Sequence, residues 1–382
     1  MILLQKRFRI SILIIAAATI YAAGAMSLGG GFVQYSQAAL RQVLRPEPQD
    51  SRLAESPQAS VTAPAPTPTA SPEVAATSAK ARGGSGSPAI RANPFAGAKL
   101  FVDSNNPARR QISEWSASRP GDAALMRKIG DQSVGIWLGD WYGNVGSATS
   151  QWIGQARAQG ALPVFILYNI PIRDCGSYSA GGASSPSAYQ QWVQAIAQAS
   201  RGTKTVFVLE PDALAGWDCL SAAQQQERAA VLRYAIDALS ADSNHYVYLD
   251  AGNARWHPAS VMAERIKRVG LSGLQGVSLN VSNFLTTAES QAYGQQISSQ
   301  TSGLKVVIDT SRNGRGPAPD LAWCNPADRG LGLPPSAQNG RPVDAYLWLK
   351  YPGESDGACN GAPASGEWWA DYALGLASRA AF

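Results

Sequence analysis

Histidine and cysteine are scarce in this chain, with two His and four Cys among 382 residues. His245 and His257 alone are too few for a histidine-built metal centre, and no HExxH pattern is present. No Walker loop and no dinucleotide fingerprint occurs either, so neither a metal nor an organic cofactor is expected. Excess positive charge is missing where it would matter. Residues 94–382 hold 23 Lys or Arg against 23 Asp or Glu, whereas residues 1–93 hold nine against four and so carry the whole formal +5. Nucleic-acid binding needs clustered cations that displace counterions, and a balanced body excludes such a partner. The sequence pI near 9.0 describes the N-terminal tail.

What is present is tryptophan. All 11 Trp, and all four Cys, lie after position 93. A charge-neutral, Trp-rich body suits a neutral, hydroxylated, flat-faced ligand such as a sugar, although most Trp are expected to pack in the core.

The N-terminus reads as an export element. Lys6, Arg7 and Arg9 precede an apolar run from Ile10 to Met26, with Ala23 and Ala25 at signal-peptidase spacing. The run is also near the length that crosses a bilayer. Residues 1–28 are therefore a signal peptide or an uncleaved membrane anchor. Both put the rest outside the cytoplasm, as a secreted, periplasmic or tethered protein, where four cysteines read as two disulfides. Residues 29–93 are rich in Pro, Ala, Ser and Thr, with APAPTPTASP at the centre. Such a segment cannot bury enough apolar surface to order itself and is expected to be a linker. Residues 94–382 form the folded domain, expected as a monomer.

Within that domain short apolar runs recur at 99–102, 134–138, 163–168, 205–209, 245–249, 274–279, 304–308 and 345–349. Amphipathic stretches separate many of them, as at Ser187–Ser200, Ser221–Leu239, Pro258–Val269 and Thr286–Gln300. Strands alternating with helices predict parallel pairing in an α/β fold, and the number of units favours a barrel. Asp174, Asp212, Asp250, Asp309 and Asp356 each fall at or just after the C-terminal end of a run. That rim is where βα barrels build their active sites. A turn role is the competing reading for any one of them.

The motifs follow in chain order: YNIPIRDC over 168–175, LEPD over 209–212, YLDAGN over 248–253 and NVSN over 280–283. DTSRNG over 309–314, WCN over 323–325 and KYPGESDG over 350–357 complete the series. Together they closely resemble glycoside hydrolase family six, the inverting cellulases, over essentially all of 94–382. The resemblance implies a distorted (β/α) barrel of seven main parallel strands with a cleft on its C-terminal rim, and β-1,4-glucan as the binding partner. Asp212 matches the general acid. Asp174 matches the aspartate that keeps the acid protonated and stabilises the sugar cation, and Asp356 matches the candidate base. Tyr168 matches the tyrosine beneath the distorted ring, and Ser179, with Ser177 the alternative, matches a serine of a mobile loop. Trp137, Trp256 and Trp323 match aromatic platforms, and Asn283, Lys350 and Glu354 sugar contacts. The implied disulfides are Cys175–Cys219 and Cys324–Cys359.

The chemistry is consistent with these roles. Acetal cleavage needs a carboxylic acid beside the leaving oxygen, and inversion needs a second carboxylate roughly 6.5–9.5 Å away across a water. An ordinary Asp, with a pKa of about 3.9, is ionised at neutrality, whereas a neighbouring carboxylate raises that value. A salt bridge to Arg173 or another cation is the competing role for Asp174, and core packing is the competing role for Trp137. Asn253 stands where the family has a histidine. His257 either compensates for it or caps the helix beginning near Pro258. The short segment between Gly357 and Trp368 predicts an open cleft and so endo-cleavage; exo-cleavage and non-catalytic glucan binding are the rivals.

Overall fold

The computed structural model describes residues 90–380 and 382. The expected export segment and the linker up to residue 89 lie outside the described residues. Residues 90–93, expected in the linker, pack on the domain. The Arg91 guanidinium lies 3.8 Å from the centre of the Tyr246 ring, and Asn93 Nδ2 donates to the carbonyl of Asp344 at 2.7 Å.

Eight strands form one sheet: β1 (Ile136–Leu138), β2 (Val164–Leu167), β3 (Thr205–Leu209), β4 (His245–Asp250), β5 (Leu274–Leu279), β6 (Lys305–Asp309), β7 (Ser336–Ala337) and β8 (Val343–Leu347). Their order is β1-β2-β3-β4-β5-β6-β8-β7. Every pair along β1 to β6 and on to β8 is parallel, and β7 adds antiparallel to the outer edge of β8. Seven parallel strands thus curl into the distorted barrel. β2 and β3 are buried at every position, which explains their unbroken apolar runs. The edges approach each other where Gly135 N donates to Trp348 O at 2.8 Å.

The helices are α1 (Pro107–Trp115), α2 (Pro120–Gly130), α3 (Val145–Ala158), α4 (Pro186–Ala199), α5 (Ala222–Ser240), α6 (Ala259–Val269), α7 (Thr287–Gln300) and α8 (Ala370–Ser378). Their starts are written in capping residues. Asn144, Ser185, Ser221 and Thr286 each accept a backbone N–H of the first turn, the last two in full capping boxes. The run at 99–102 is not a strand; it makes one parallel bridge, Leu100 to Leu162.

Two apolar layers hold the sheet. One, with Phe165, Phe207 and Leu249, packs strands against the surrounding helices. The other, with Ile166, Val208, Tyr248 and Val307, fills the barrel interior. Both leave the C-terminal strand ends open to loops.

Candidate active site

Five strand ends deliver the five aspartates, and the structure divides them. Asp174, Asp212 and Asp356 line one cleft of about 1110 Å³. Asp250 and Asp309 are buried beneath it and fasten loops. Asp250 Oδ1 accepts the backbone N–H of Asp212 and of Gly252, both at 3.0 Å, and Oδ2 accepts the Ser278 hydroxyl at 2.9 Å. Asp309 accepts Ser311 N, Ser282 N and Lys350 N at 2.9–3.0 Å. A carboxylate that takes several N–H groups from neighbouring loops fixes their relative positions.

Asp212 sits on a turn that L-residues rarely adopt, with φ of 68° and with Glu210 at 49°. The opposing turn repeats the feature: Ile172 at 56°, Asp174 at 55° and Cys175 at 50°. Each such residue costs about 1–3 kcal/mol and persists only where surroundings over-determine it. They are over-determined from behind. The carboxylate of Glu210, fully buried, accepts Asn169 N and Ile170 N, both at 2.9 Å. Arg228, reaching up from α5, donates to the carbonyls of Pro171 at 2.7 Å, Ile172 at 2.8 Å and Ala213 at 3.3 Å. The segment carrying Tyr168 and Asp174 is thereby tied to the loop carrying Asp212. In front, the Cys175–Cys219 disulfide joins the same two loops, and Cys324–Cys359 joins the loops around Asp356.

Electrostatics follow from this packing. Burial, then the nearby charge of Asp250, then that of Asp174, push the Asp212 carboxyl well above the usual range. Burial raises Asp250 to about 6 despite its N–H donors. Burial likewise raises Glu210 to about 7. The Tyr168 phenol is held protonated by burial, then by Asp212 and Asp174. Its ring lies edge-on to Trp137 at 5.1 Å. Arg173 pairs with Asp140 at 2.9 Å, not with Asp174. Asp174 Oδ2 instead accepts the backbone N–H of Ser179 at 2.7 Å.

Asp356 is buried in the lining of the same cleft. Its Oδ2 accepts Arg312 Nη1 at 2.9 Å and Asn325 N at 3.0 Å, while Oδ1 lies 3.9 Å from Lys350 Nζ. Burial raises the neighbouring Glu354 carboxyl, opposed by Lys350 and Arg312.

The other side chains expected to act on the substrate, His257 excepted, line this cleft too. Trp256 and Trp323 are 44% and 50% exposed. Trp137 is half-buried, lining the cleft while its indole N–H donates to Leu349 O at 2.8 Å. Asn283 and Asn253 are in the wall, the latter with Oδ1 taken by Arg255 N at 3.0 Å. His257 does neither thing expected of it. It turns away to Ala215 O at 2.8 Å, and the helix cap is Pro258.

The loop after Asp174 and the segment from Gly357 onward touch each other. The Ser179 and Ser365 hydroxyls are 2.9 Å apart, and the Tyr178 ring occupies the space a Cβ on Gly357 would need. The sequence does not single out Ser365, Arg312 or Arg228: Arg312 lies within the DTSRNG motif, and the other two lie in no motif. Among the described residues no group of three or more His, Cys, Asp or Glu is placed to hold a metal.

Comparison with known proteins bears on this arrangement. Residues 95–380 match the family model for glycosyl hydrolases family 6. Endoglucanase A of Cellulomonas fimi is 44% identical over 285 residues, which are 74% of this chain and 61% of that protein. The chain thus spans about three-fifths of that relative's length. Endoglucanase 1 of Streptomyces halstedii is 40% identical over 68% of this chain and 82% of its own. The structure of the endoglucanase Cel6 from Mycobacterium tuberculosis, complexed with methyl-cellobiosyl-4-deoxy-4-thio-β-D-cellobioside, superimposes with a TM-score of 0.72 at 44% identity. That likeness covers 75% of this chain and 99% of that one. The chain belongs to glycosyl hydrolases family 6.

Proposed function

We propose that the protein hydrolyses internal β-1,4-glucosidic bonds of cellulose or a related β-glucan, with inversion at the anomeric carbon. The observation that carries this is the Asp212 carboxyl in the wall of an aromatic-lined cleft, where burial, then Asp250, then Asp174 push it well above the usual carboxylate range. In this reading Asp212 protonates the leaving glycosidic oxygen. Asp174 places negative charge beside the developing sugar cation, and Tyr168 supports the distorted ring. Asp356 receives the proton of the attacking water. Its Oδ2 is already engaged, so Oδ1 is the oxygen that faces this task. Lys350, Glu354, Asn283 and Asn253 hold hydroxyls, and Trp256 and Trp323 stack on pyranose faces.

Endo action is supported by the names of the relatives at 40–44% identity. Export to the outside of the cytoplasm, by cleavage or with the N-terminus retained, is supported by the basic-then-apolar start of the chain and by two disulfides. We take the working form to be a monomer.

Three measurements test the reading. The viscosity of carboxymethylcellulose is expected to fall early, at low sugar release, and cello-oligosaccharide products are expected to emerge as the α-anomer. Sugar release without viscosity loss would mean exo action, and β-anomeric products would remove inversion. Asp212→Asn is expected to lower turnover by at least about 10²-fold while oligosaccharide binding survives. Full activity in that variant would remove the acid assignment, and binding without turnover by the parent would leave only a glucan-binding role.

A further inference from the structure

Trp141 is 53% exposed and lines the same cleft. It lies in the loop between β1 and α3, four residues beyond Trp137. A large apolar side chain left this wet at a functional groove needs a reason.

Its pose is built. A Cβ on Gly139 would come within 2.2 Å of the Trp141 ring, so glycine alone lets the indole fold back over the end of β1. The Arg173 guanidinium lies 5.7 Å from the ring centre. Arg173 is itself immobilised by Asp140 at 2.9 Å and by the Tyr168 carbonyl at 2.8 Å. Asp140 also takes Gly182 N at 3.1 Å, which secures the base of the platform from the neighbouring loop. An aromatic face that is exposed and already fixed loses little freedom on binding. The apolar C–H face of a pyranose is the complement to it.

We propose that Trp141 is a further sugar platform, taking one glucosyl unit of a β-glucan chain at the Trp137 end of the cleft. It makes the enzyme favour longer chains. The inference rests on the glucan-hydrolase reading and deepens it. The competing role is shielding of the Arg173–Asp140 pair, which would support the loop carrying Asp174 equally for all substrates.

The test compares the parent with Trp141→Ala on cellotetraose and cellohexaose. Binding of both oligosaccharides is measured by calorimetry in an Asp212→Asn background. The cellohexaose-to-cellotetraose ratio of kcat/KM is expected to fall about tenfold, mainly through KM, with the same fall in the ratio of affinities. Trp141→Phe is expected to restore part of it. An unchanged ratio, whether both substrates suffer equally or neither does, overturns the platform. A Trp141-dependent affinity ratio in a parent that turns over neither oligosaccharide would sustain the platform and overturn hydrolysis instead.

Discussion

The carboxylate of Asp250 accepts the backbone N–H of Asp212 at 3.0 Å. The residue proposed to donate a proton is therefore fastened, through its own main chain, to a second buried acid. One contact does two things. It fixes the turn at Asp212, and it keeps a negative charge close enough to raise the Asp212 carboxyl. Asp250→Asn keeps the shape and one oxygen acceptor but removes that charge. Asp212 then ionises more easily, so the alkaline limb of kcat against pH is expected to move to lower pH. An alkaline limb at the parent's position would show that Asp250 acts only as a fastener.

Asp250 also marks how far the sequence could be read. The strands were legible because parallel strands buried on both faces must be continuously apolar, as VFIL and TVFVL are. The run at 99–102, with Leu100, Phe101 and Val102, is also apolar after Lys99 and makes only one bridge, because pairing depends on what lies beside it. The two residues of β7 carry no pattern at all. The rim position of the five aspartates was equally plain in the motifs. A carboxylate that binds loop N–H groups and one that faces a cleft are the same letter, however, so the division between them had to come from geometry. The same limit applies to Arg228. On an amphipathic helix it reads as a solvated face, and only packing shows it turned inward. His257 failed in the opposite direction: adjacency to Trp256 in sequence placed it near the cleft, and the backbone turned it away.

Acid-range stability has a definite sign. Glu210 at about 7 and Asp250 at about 6 both lie above their ordinary values of 4.5 and 3.8. Between those limits the folded protein holds protons that the unfolded chain has released. Stability contributed by these groups is therefore greatest below about pH 4 and declines as pH rises towards 7, by up to roughly 3 kcal/mol for each. Urea midpoints at pH 4.5 and 7.5 measure it. Glu210→Gln cannot titrate and is expected to flatten the decline. An identical slope in the variant would mean that Glu210 does not change protonation over this range.

The Cys175–Cys219 disulfide closes 44 residues and anchors a turn in which Asp174 and Cys175 both take left-handed angles. Replacing both cysteines by serine is expected to cost roughly 2–4 kcal/mol of stability. It should also reduce kcat below the unfolding temperature, because the released turn can relax away from Asp212. Thermal melts paired with kcat at a temperature where both forms stay folded separate the two effects. Full kcat with a lowered melting temperature would confine the bridge to stability.

Arg228 offers the sharpest test of the clamp behind the site. Its guanidinium holds Pro171, Ile172 and Ala213 carbonyls together, and these belong to the two loops that bear Asp174 and Asp212. A lysine in its place has a single ammonium that cannot span all three with a planar fork. Arg228→Lys is expected to fold, to keep KM near the parent value, and to lose about ten- to a hundred-fold in kcat, because small displacements of catalytic groups are costly. A second readout distinguishes positioning from bulk stability. Asp174 contributes to the raised Asp212 carboxyl, so loosening the two loops weakens that contribution and the alkaline limb moves to lower pH. A variant that melts earlier but retains kcat and the parent pH limb would make Arg228 a packing residue and leave Glu210 and the disulfide to hold the acids in register.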